Sequence, residues 1–291
     1  MPRRLLALLP IFVAFACPAH AAPIDLQALS ERALGQRAGA IVALDARNGL
    51  VVALVNPQLA TNATYPLGSL AKVTTAMAAL EAGVTDGARR IPCRGTFERW
   101  TCWKVHGGQT LEEALANSCS SYFFTVGREV GTARLNRAFG AAGFGAGVFL
   151  PARTLAELTE LAYGDTPRLQ ATPLQVASWM GAIANGGTRY APVLRGDVPR
   201  SVGRLSGVAG IERVRAGLRR AVLEGSARGA DVPGLSVHGK TGTATSVREA
   251  HRRHGWFAGF AGDRVVVVFL KDGNGYADAA PLAREVFAAW R

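Results

Sequence analysis

The chain has 291 residues, 49% of them hydrophobic and 19% charged, with a formal net charge of +12, which suits a compact globular protein of one large or two small domains. The positive excess is spread over scattered arginines, without a long basic block or a basic stripe interleaved with aromatics, and this argues against nucleic acid as a partner. A solvated basic surface accounts for it, with peripheral attraction to anionic lipid or acidic wall polymer as the alternative.

Residues 1–21, MPRRLLALLPIFVAFACPAHA, begin with Arg3 and Arg4, run apolar from Leu5 to Cys17 and end on Ala19-His20-Ala21. Charged, apolar and small-residue parts in that order predict a secretory signal cleaved after Ala21. A membrane-spanning helix needs roughly 20 apolar residues, and Pro10, Pro18 and His20 leave this run too short. Lipidation at Cys17 is a further alternative that Ala14 and Phe15 before it disfavour. Cleavage would remove 21 residues, Arg3 and Arg4 among them, lowering 291 residues and a charge of +12 to 270 and +10. Residues 22–37 are read as a lead-in and 38–291 as one domain, since no repeat, low-complexity segment or Pro/Ser-rich linker divides the chain.

The stretch 38–57, AGAIVALDARNGLVVALVNP, is two β-rich runs joined by a DARNG turn, a hairpin signal. A buried helix follows from Ser69, with Leu70, Val73, Met77 and Leu80 at helical spacing and Gly83 as its stop. From about 84 to 225 the pattern is helix and loop. Thr110 with Glu113, and Thr172 with Pro173 and Gln175, form capping-box starts, and IERVRAGLRRAVLEG is a further helix. Strands return in LSVHGKTGTATS, GWFAGFAG and RVVVVFLKDG, before a closing helix in DAAPLAREVFAAW. The first and last segments then share one antiparallel sheet with a helical lobe inserted between them, an α/β sandwich.

Beyond the leader the cysteines are Cys93, Cys102 and Cys119. In an oxidising compartment Cys93 and Cys102 can close a disulfide, leaving Cys119 as the odd thiol. A metal site recruiting Cys93, Cys102 and His106 matches no standard zinc spacing and ranks below that disulfide, so no metal and no cofactor is expected. His251 and His254 read as surface residues, and the histidines His106, His238, His251 and His254 show no spacing that argues for a Ser-His-Asp triad.

The chemistry concentrates in three places. Ser69 and Lys72 lie one helical turn apart on one face, so the lysine can serve the serine as base if burial and nearby positive charge lower its pKa. Alone the pair is weak evidence, because serine caps helices and lysine decorates them. HGKTGTATS adds a cation in Lys240, hydroxyls in Thr241 and Thr243, and Gly242, which lets a substrate backbone lie against the strand. Lysine occurs only at 72, 104, 240 and 271, so two of the four sit in these motifs. Between them NSCSSYFF offers Ser118, a hydroxyl able to relay a proton.

Taken together, Ser69-x-x-Lys72, Ser118-x-Ser120 and Lys240-Thr241-Gly242 resemble the signature of penicillin-binding proteins and serine β-lactamases. The blocks YPLGSLAKVTTAMAALEAG, SCSSYFFTVGREVG, TPLQVASWMGAIANGGTRYAPV, GKTGTA and GWFAGFA resemble the penicillin-binding transpeptidase domain in order, from about residue 38 onward. The resemblance implies the β-lactamase/D,D-transpeptidase fold and an acyl-enzyme site for D-alanyl-D-alanine. It makes Ser69 the nucleophile, Lys72 its base and Ser118 the proton shuttle. Ser120, Lys240, Thr241, Gly242 and Thr243 would bind substrate, and the backbone N–H groups of Ser69 and Thr243 would form the oxyanion hole. It implies peptidoglycan stem peptide and β-lactam antibiotics as ligands, and a periplasmic or wall-associated location.

The chain departs from the family pattern at three points. Ser120 stands where the family usually has asparagine, sometimes aspartate. YGDTPRLQATPLQ lacks the Gly-Gln-Gly spelling often found before the Thr-Pro helix, implying a reshaped groove. No glycosyltransferase or pedestal domain or membrane anchor is recognisable. The expected function is a D,D-transpeptidase or D,D-carboxypeptidase. A lysine-dependent β-lactamase and a non-catalytic wall-peptide or β-lactam binding module are the alternatives.

Overall fold

A computed structural model describes residues 25–144, 148–194, 196–246 and 251–290. The expected leader, its cleavage site and Cys17 lie outside the described residues. Helix α1 (Leu26–Leu34) starts at Asp25, whose carboxylate accepts from the Ala28 N–H and so satisfies one of the free donors of a helix start. Strands β1 (Gly39–Asp45) and β2 (Val51–Val55) form the antiparallel hairpin that the DARNG turn predicts.

A 3₁₀ turn at Gly68–Leu70 leads into α2 (Ala71–Glu81). The helical block continues with α3 (Leu111–Ala116), α4 (Ser120–Val130), α5 (Thr132–Ala141), α6 (Leu155–Tyr163), α7 (Pro173–Ala184) and α8 (Ile211–Leu223). Both expected capping boxes are present, and Thr154 with Glu157 forms another at the start of α6. Strands β3 (His238–Thr245), β4 (Arg253–Ala261) and β5 (Arg264–Leu270) and helix α9 (Ala280–Ala289) complete the order.

The main sheet runs β3-β4-β5-β1-β2, antiparallel throughout, with β1 paired to β5 from Gly39 opposite Leu270 to Asp45 opposite Arg264. The first strand and the last strand of the described residues therefore pair within one sheet. β1 is buried on both faces, which is why it reads as an unbroken apolar run rather than an alternating one. One face packs Val42, Leu44, Val267 and Phe269 with Trp179 of α7; the other packs Ile41, Ala43, Val266 and Val268 with Leu34 of α1 and Phe287 of α9. Each buried valine, leucine, isoleucine or phenylalanine side chain among them contributes about 1.5–3 kcal/mol by leaving water.

Helix α2 is buried from Ala71 to Ala79, so it is the central helix of the lobe and carries Lys72 into the interior. Two glycines bring its start against the sheet edge. A β-carbon on Gly68, where φ is +55°, would fall 2.6 Å from the Thr243 carbonyl oxygen, and one on Gly242 would fall 2.7 Å from that of Leu67. The turn bearing Ser69 thus lies backbone to backbone against β3. Trp256 of β4 fixes the same join by donating its indole N–H to the Pro66 carbonyl at 2.9 Å.

Gly164, at the C-terminus of α6, supports that turn from behind. It has φ +90°, and a β-carbon there would lie 1.9 Å from the Gly68 carbonyl oxygen. Gly164→Ala is expected to destabilise the fold by about 3 kcal/mol or more, combining left-handed strain with an overlap that only backbone movement relieves. Chemical denaturation checks the loss, and a midpoint equal to the native one would contradict the packing described.

Candidate active site

Ser69 sits inside the 3₁₀ turn, partly exposed. Neither that turn nor α2 has a side-chain cap, so Ser69 is not a helix-capping residue. Lys72 follows on α2 and is 1% exposed, while Lys240 on the edge strand β3 is 0% exposed. Two buried lysine amines with no carboxylate bonded to either among the described residues are costly to bury in charged form.

Ser118 stands between them. Its hydroxyl oxygen accepts from Lys240 Nζ at 2.9 Å and from Lys72 Nζ at 3.3 Å, and its carbonyl accepts from Lys72 Nζ at 2.8 Å. Lys72 also donates to Ser120 Oγ at 3.0 Å, and Lys240 to the Thr241 carbonyl at 2.9 Å. Ser118 has φ +52°, a left-handed backbone that costs a non-glycine residue energy and turns the chain from α3 into α4.

Burial pushes Lys72 from its ordinary value down to about 8, while the nearby thiols and Asp165 act in the opposite direction. Burial, and then the charge of Lys72, hold Lys240 well below its usual range. A lysine held near neutral pH can take up and return a proton, as a base must. The hydrogen bonds of Lys72 go to Ser118 and Ser120 rather than to Ser69. Ser69 and Lys72 are joined by the turn itself, and apo catalytic bonds commonly tighten only when substrate binds.

The sequence-predicted residues of the Ser118 and Lys240 motifs are thus brought together, with two refinements. Lys240 Nζ is buried on Ser118 Oγ and the Thr241 carbonyl rather than open to the groove. Thr241 directs its hydroxyl to the Ser226 carbonyl and Oγ, both at 3.2 Å. Thr243 remains partly exposed at the sheet edge and accepts from the Gly275 N–H at 3.2 Å. Ser226 and Gly275 were not singled out in the sequence, since neither belongs to a motif. Asp165, in the segment that lacks the Gly-Gln-Gly spelling, accepts from the Tyr163 hydroxyl at 3.3 Å.

The expected Cys93–Cys102 disulfide is absent: Cys93, Cys102 and Cys119 are all free, buried thiols. Cys102 Sγ is turned instead toward the chain around Cys119, where it accepts from the Ser120 N–H at 3.2 Å. A hydrogen bond shared between the two sulfurs holds the Cys102 thiol below its ordinary range and pushes the Cys119 thiol up. His106 Nδ1 lies 3.5 Å from both Cys93 Sγ and Cys102 Sγ, and the donor atoms of Cys93, Cys102, His106 and Cys119 all fall within 4.8 Å of one another. Three sulfurs and one imidazole nitrogen form a set of the kind that can hold a tetrahedral zinc ion. The spacing concealed it because Cys119 joins from the turn before α4. Protein purified under reducing conditions is expected to carry roughly one zinc per chain, and Cys119→Ser much less. Equal metal content in the two would contradict this. His254, expected at the surface, is buried with Nδ1 2.6 Å from the Lys271 carbonyl, whereas His251 is exposed.

Among the described residues no helix is long and apolar enough to cross a membrane. The family model for the penicillin binding protein transpeptidase domain matches residues 39–288. The chain is 28% identical over 352 residues to peptidoglycan D,D-transpeptidase MrdA of Acinetobacter baumannii, covering 91% of this chain and 52% of that protein. It is 29% identical over 225 residues to stage V sporulation protein D of Bacillus subtilis, covering 67% of this chain and 35% of that one. The chain therefore spans about half, or less, of these relatives. Among solved structures it is similar to PBP2 of Pseudomonas aeruginosa in complex with WCK 5153, with a TM-score of 0.79 and 27% identity over 91% of this chain and 76% of the other. PBPA of Mycobacterium tuberculosis shares the fold at a TM-score of 0.80 and 23% identity, over 91% and 80% of the two chains. With 250 of its residues matched to one family model, the chain belongs to the penicillin-binding protein transpeptidase domain family.

Proposed function

We propose that the protein is an exported serine acyl-enzyme D,D-peptidase that acts on the D-alanyl-D-alanine end of peptidoglycan stem peptides and is acylated by penicillins. The observation that carries this reading is the buried Lys72–Ser118–Lys240 network beside a partly exposed Ser69 at the edge of β3. A binding module without turnover has no use for two buried lysines, which lower stability.

In the mechanism this supports, Ser69 Oγ attacks the carbonyl carbon of the penultimate D-alanine and its proton passes to neutral Lys72. The N–H groups of Ser69 and Thr243 stabilise the oxyanion. Ser118, already accepting from both lysines, aims its own hydrogen at the leaving amine and is reprotonated through Lys72. D-Alanine leaves, and the acyl group stays on Ser69 until an amine or water removes it. Export is part of the proposal and rests on the leader.

The test is incubation with a stem pentapeptide ending in D-alanyl-D-alanine. Time-dependent release of D-alanine, blocked by prior exposure to a penicillin, is the expected result. Absence of both D-alanine release and a penicillin adduct would overturn the reading.

A further inference from the structure

The chain leaving β5 does not run straight into α9. It crosses β4 and reaches β3, the strand that carries Lys240, Thr241 and Thr243. Gly255 of β4, which pairs with Thr243, permits the crossing: a β-carbon there would fall 2.9 Å from the Asn274 carbonyl carbon and 3.0 Å from the Asn274 nitrogen. Gly275 then lies against both strands, where a β-carbon would fall 2.3 Å from the Gly242 carbonyl oxygen and 2.6 Å from that of Trp256. From this position its N–H donates to Thr243 Oγ1 at 3.2 Å.

Asn274 holds that contact in place. Its Oδ1 accepts from the Tyr276 N–H at 2.8 Å and from the Ala277 N–H at 3.1 Å, which starts a π-helical turn at Gly275–Ala279, and its own N–H donates to Asp278 Oδ2 at 2.7 Å. Single π-turns are rare and occur frequently at functional sites.

A threonine hydroxyl has one hydrogen to give and two lone pairs to receive. With the Gly275 N–H on one lone pair, Thr243 keeps its hydrogen for an acceptor in the groove. The neighbouring groups are committed elsewhere: Lys240 Nζ to Ser118 and the Thr241 carbonyl, and the Thr241 hydroxyl to Ser226. Of the three side chains only that of Thr243 is not buried. A D-alanyl-D-alanine end carries a carboxylate, as a penicillin does, and a hydrogen bond to an ionised acceptor is about twice as strong as one between neutral groups.

We propose that Asn274 is a positioning residue: by holding the Gly275 N–H on Thr243 it orients that hydroxyl to donate to the terminal carboxylate, and so sets the domain's preference for carboxylate-bearing substrates. The inference rests on the acyl-enzyme reading above. Asn274 acts through Gly275 and Thr243. Without its cap the Thr243 hydroxyl loses its fixed donor and turns its lone pairs toward the carboxylate as readily as its hydrogen.

The experiment compares, by intact mass, the rates of acylation by benzylpenicillin and by its methyl ester, which differ in the charge of that one group. Asn274→Ala is expected to lower the rate with the acid at least about fivefold and to change the rate with the ester by less than about twofold. Asn274→Ser, which keeps a capping oxygen, should restore the native ratio of acid to ester. In a Thr243→Val background, Asn274→Ala should leave that ratio where Thr243→Val alone puts it. Acid and ester rates that fall together, an unchanged acid rate, or a further loss of preference in the Thr243→Val background would overturn the proposal while leaving Ser69 acylation standing. Absence of any native adduct with the acid would overturn both. Should Asn274→Ala fail to fold, Asn274→Gly, which removes the same oxygen at a smaller cost to the turn, is read by the same ratio.

Discussion

Ser69→Ala is expected to abolish covalent acylation by penicillin, lowering its rate by at least about 10⁴-fold, without unfolding the protein. The chemical loss is complete because no other described hydroxyl occupies the turn between Lys72 and the edge of β3, and removal of a nucleophile is among the most severe changes an active site can undergo. The fold tolerates the change because Ser69 caps no helix and is only partly buried. Its removal should move stability by no more than about 0.5 kcal/mol, the range for a substitution that breaks no packing or cap. Circular dichroism and denaturation beside the mass measurement separate the two effects.

Lys72→Met carries the second large effect, and with opposite signs for activity and stability. Loss of a general base costs about 10²–10⁴ in rate, so acylation should fall about 10³-fold. The native lysine is held down to about 8 from its ordinary 10.5, and that difference corresponds to about 3 kcal/mol of destabilisation at pH 7. An apolar side chain of similar length removes the buried charge, so Lys72→Met should be as stable as the native protein or more so, by up to about 3 kcal/mol. The pH dependence follows from the same shift. Native acylation should rise with pH and level off above about 8, as Lys72 loses its proton, while the variant's residual rate should lack that step. Because the unfolded chain holds the Lys72 proton more tightly, this group makes native stability rise between about pH 8 and 10.5, and Lys72→Met should lose that rise. A variant that unfolds, or one that acylates at the native rate, would contradict the role assigned to Lys72.

The sheet was legible because its signals are local. The DARNG turn, the apolar runs of β1 and β5, and the capping boxes at Thr110 and Thr172 each depend on neighbouring residues only. Ser69, Lys72, Ser118 and Lys240 were legible as motif members, with Ser118 and both lysines meeting through tertiary contacts from three separate segments. What escaped depends on where chain segments pass one another. Gly164 looks like an ordinary helix stop, and only its approach to Gly68 makes it part of the site. The separation of Cys93 and Cys102 suits a hairpin disulfide, yet the fold directs Cys102 to Ser120 and brings His106 and Cys119 to the same point. The surface expected for His254 failed for a similar reason, since β4 carries it under Tyr65 and Phe269.

The most direct test is to locate the acyl group. After brief exposure to a penicillin, tryptic digestion should place the added mass on the peptide 48–72, the fragment between Arg47 and Lys72 that contains Ser69, and fragmentation should assign it to that serine. Mass found on the peptide bearing Ser118 and Ser120 instead, or on none, would contradict the assignment of Ser69 as nucleophile.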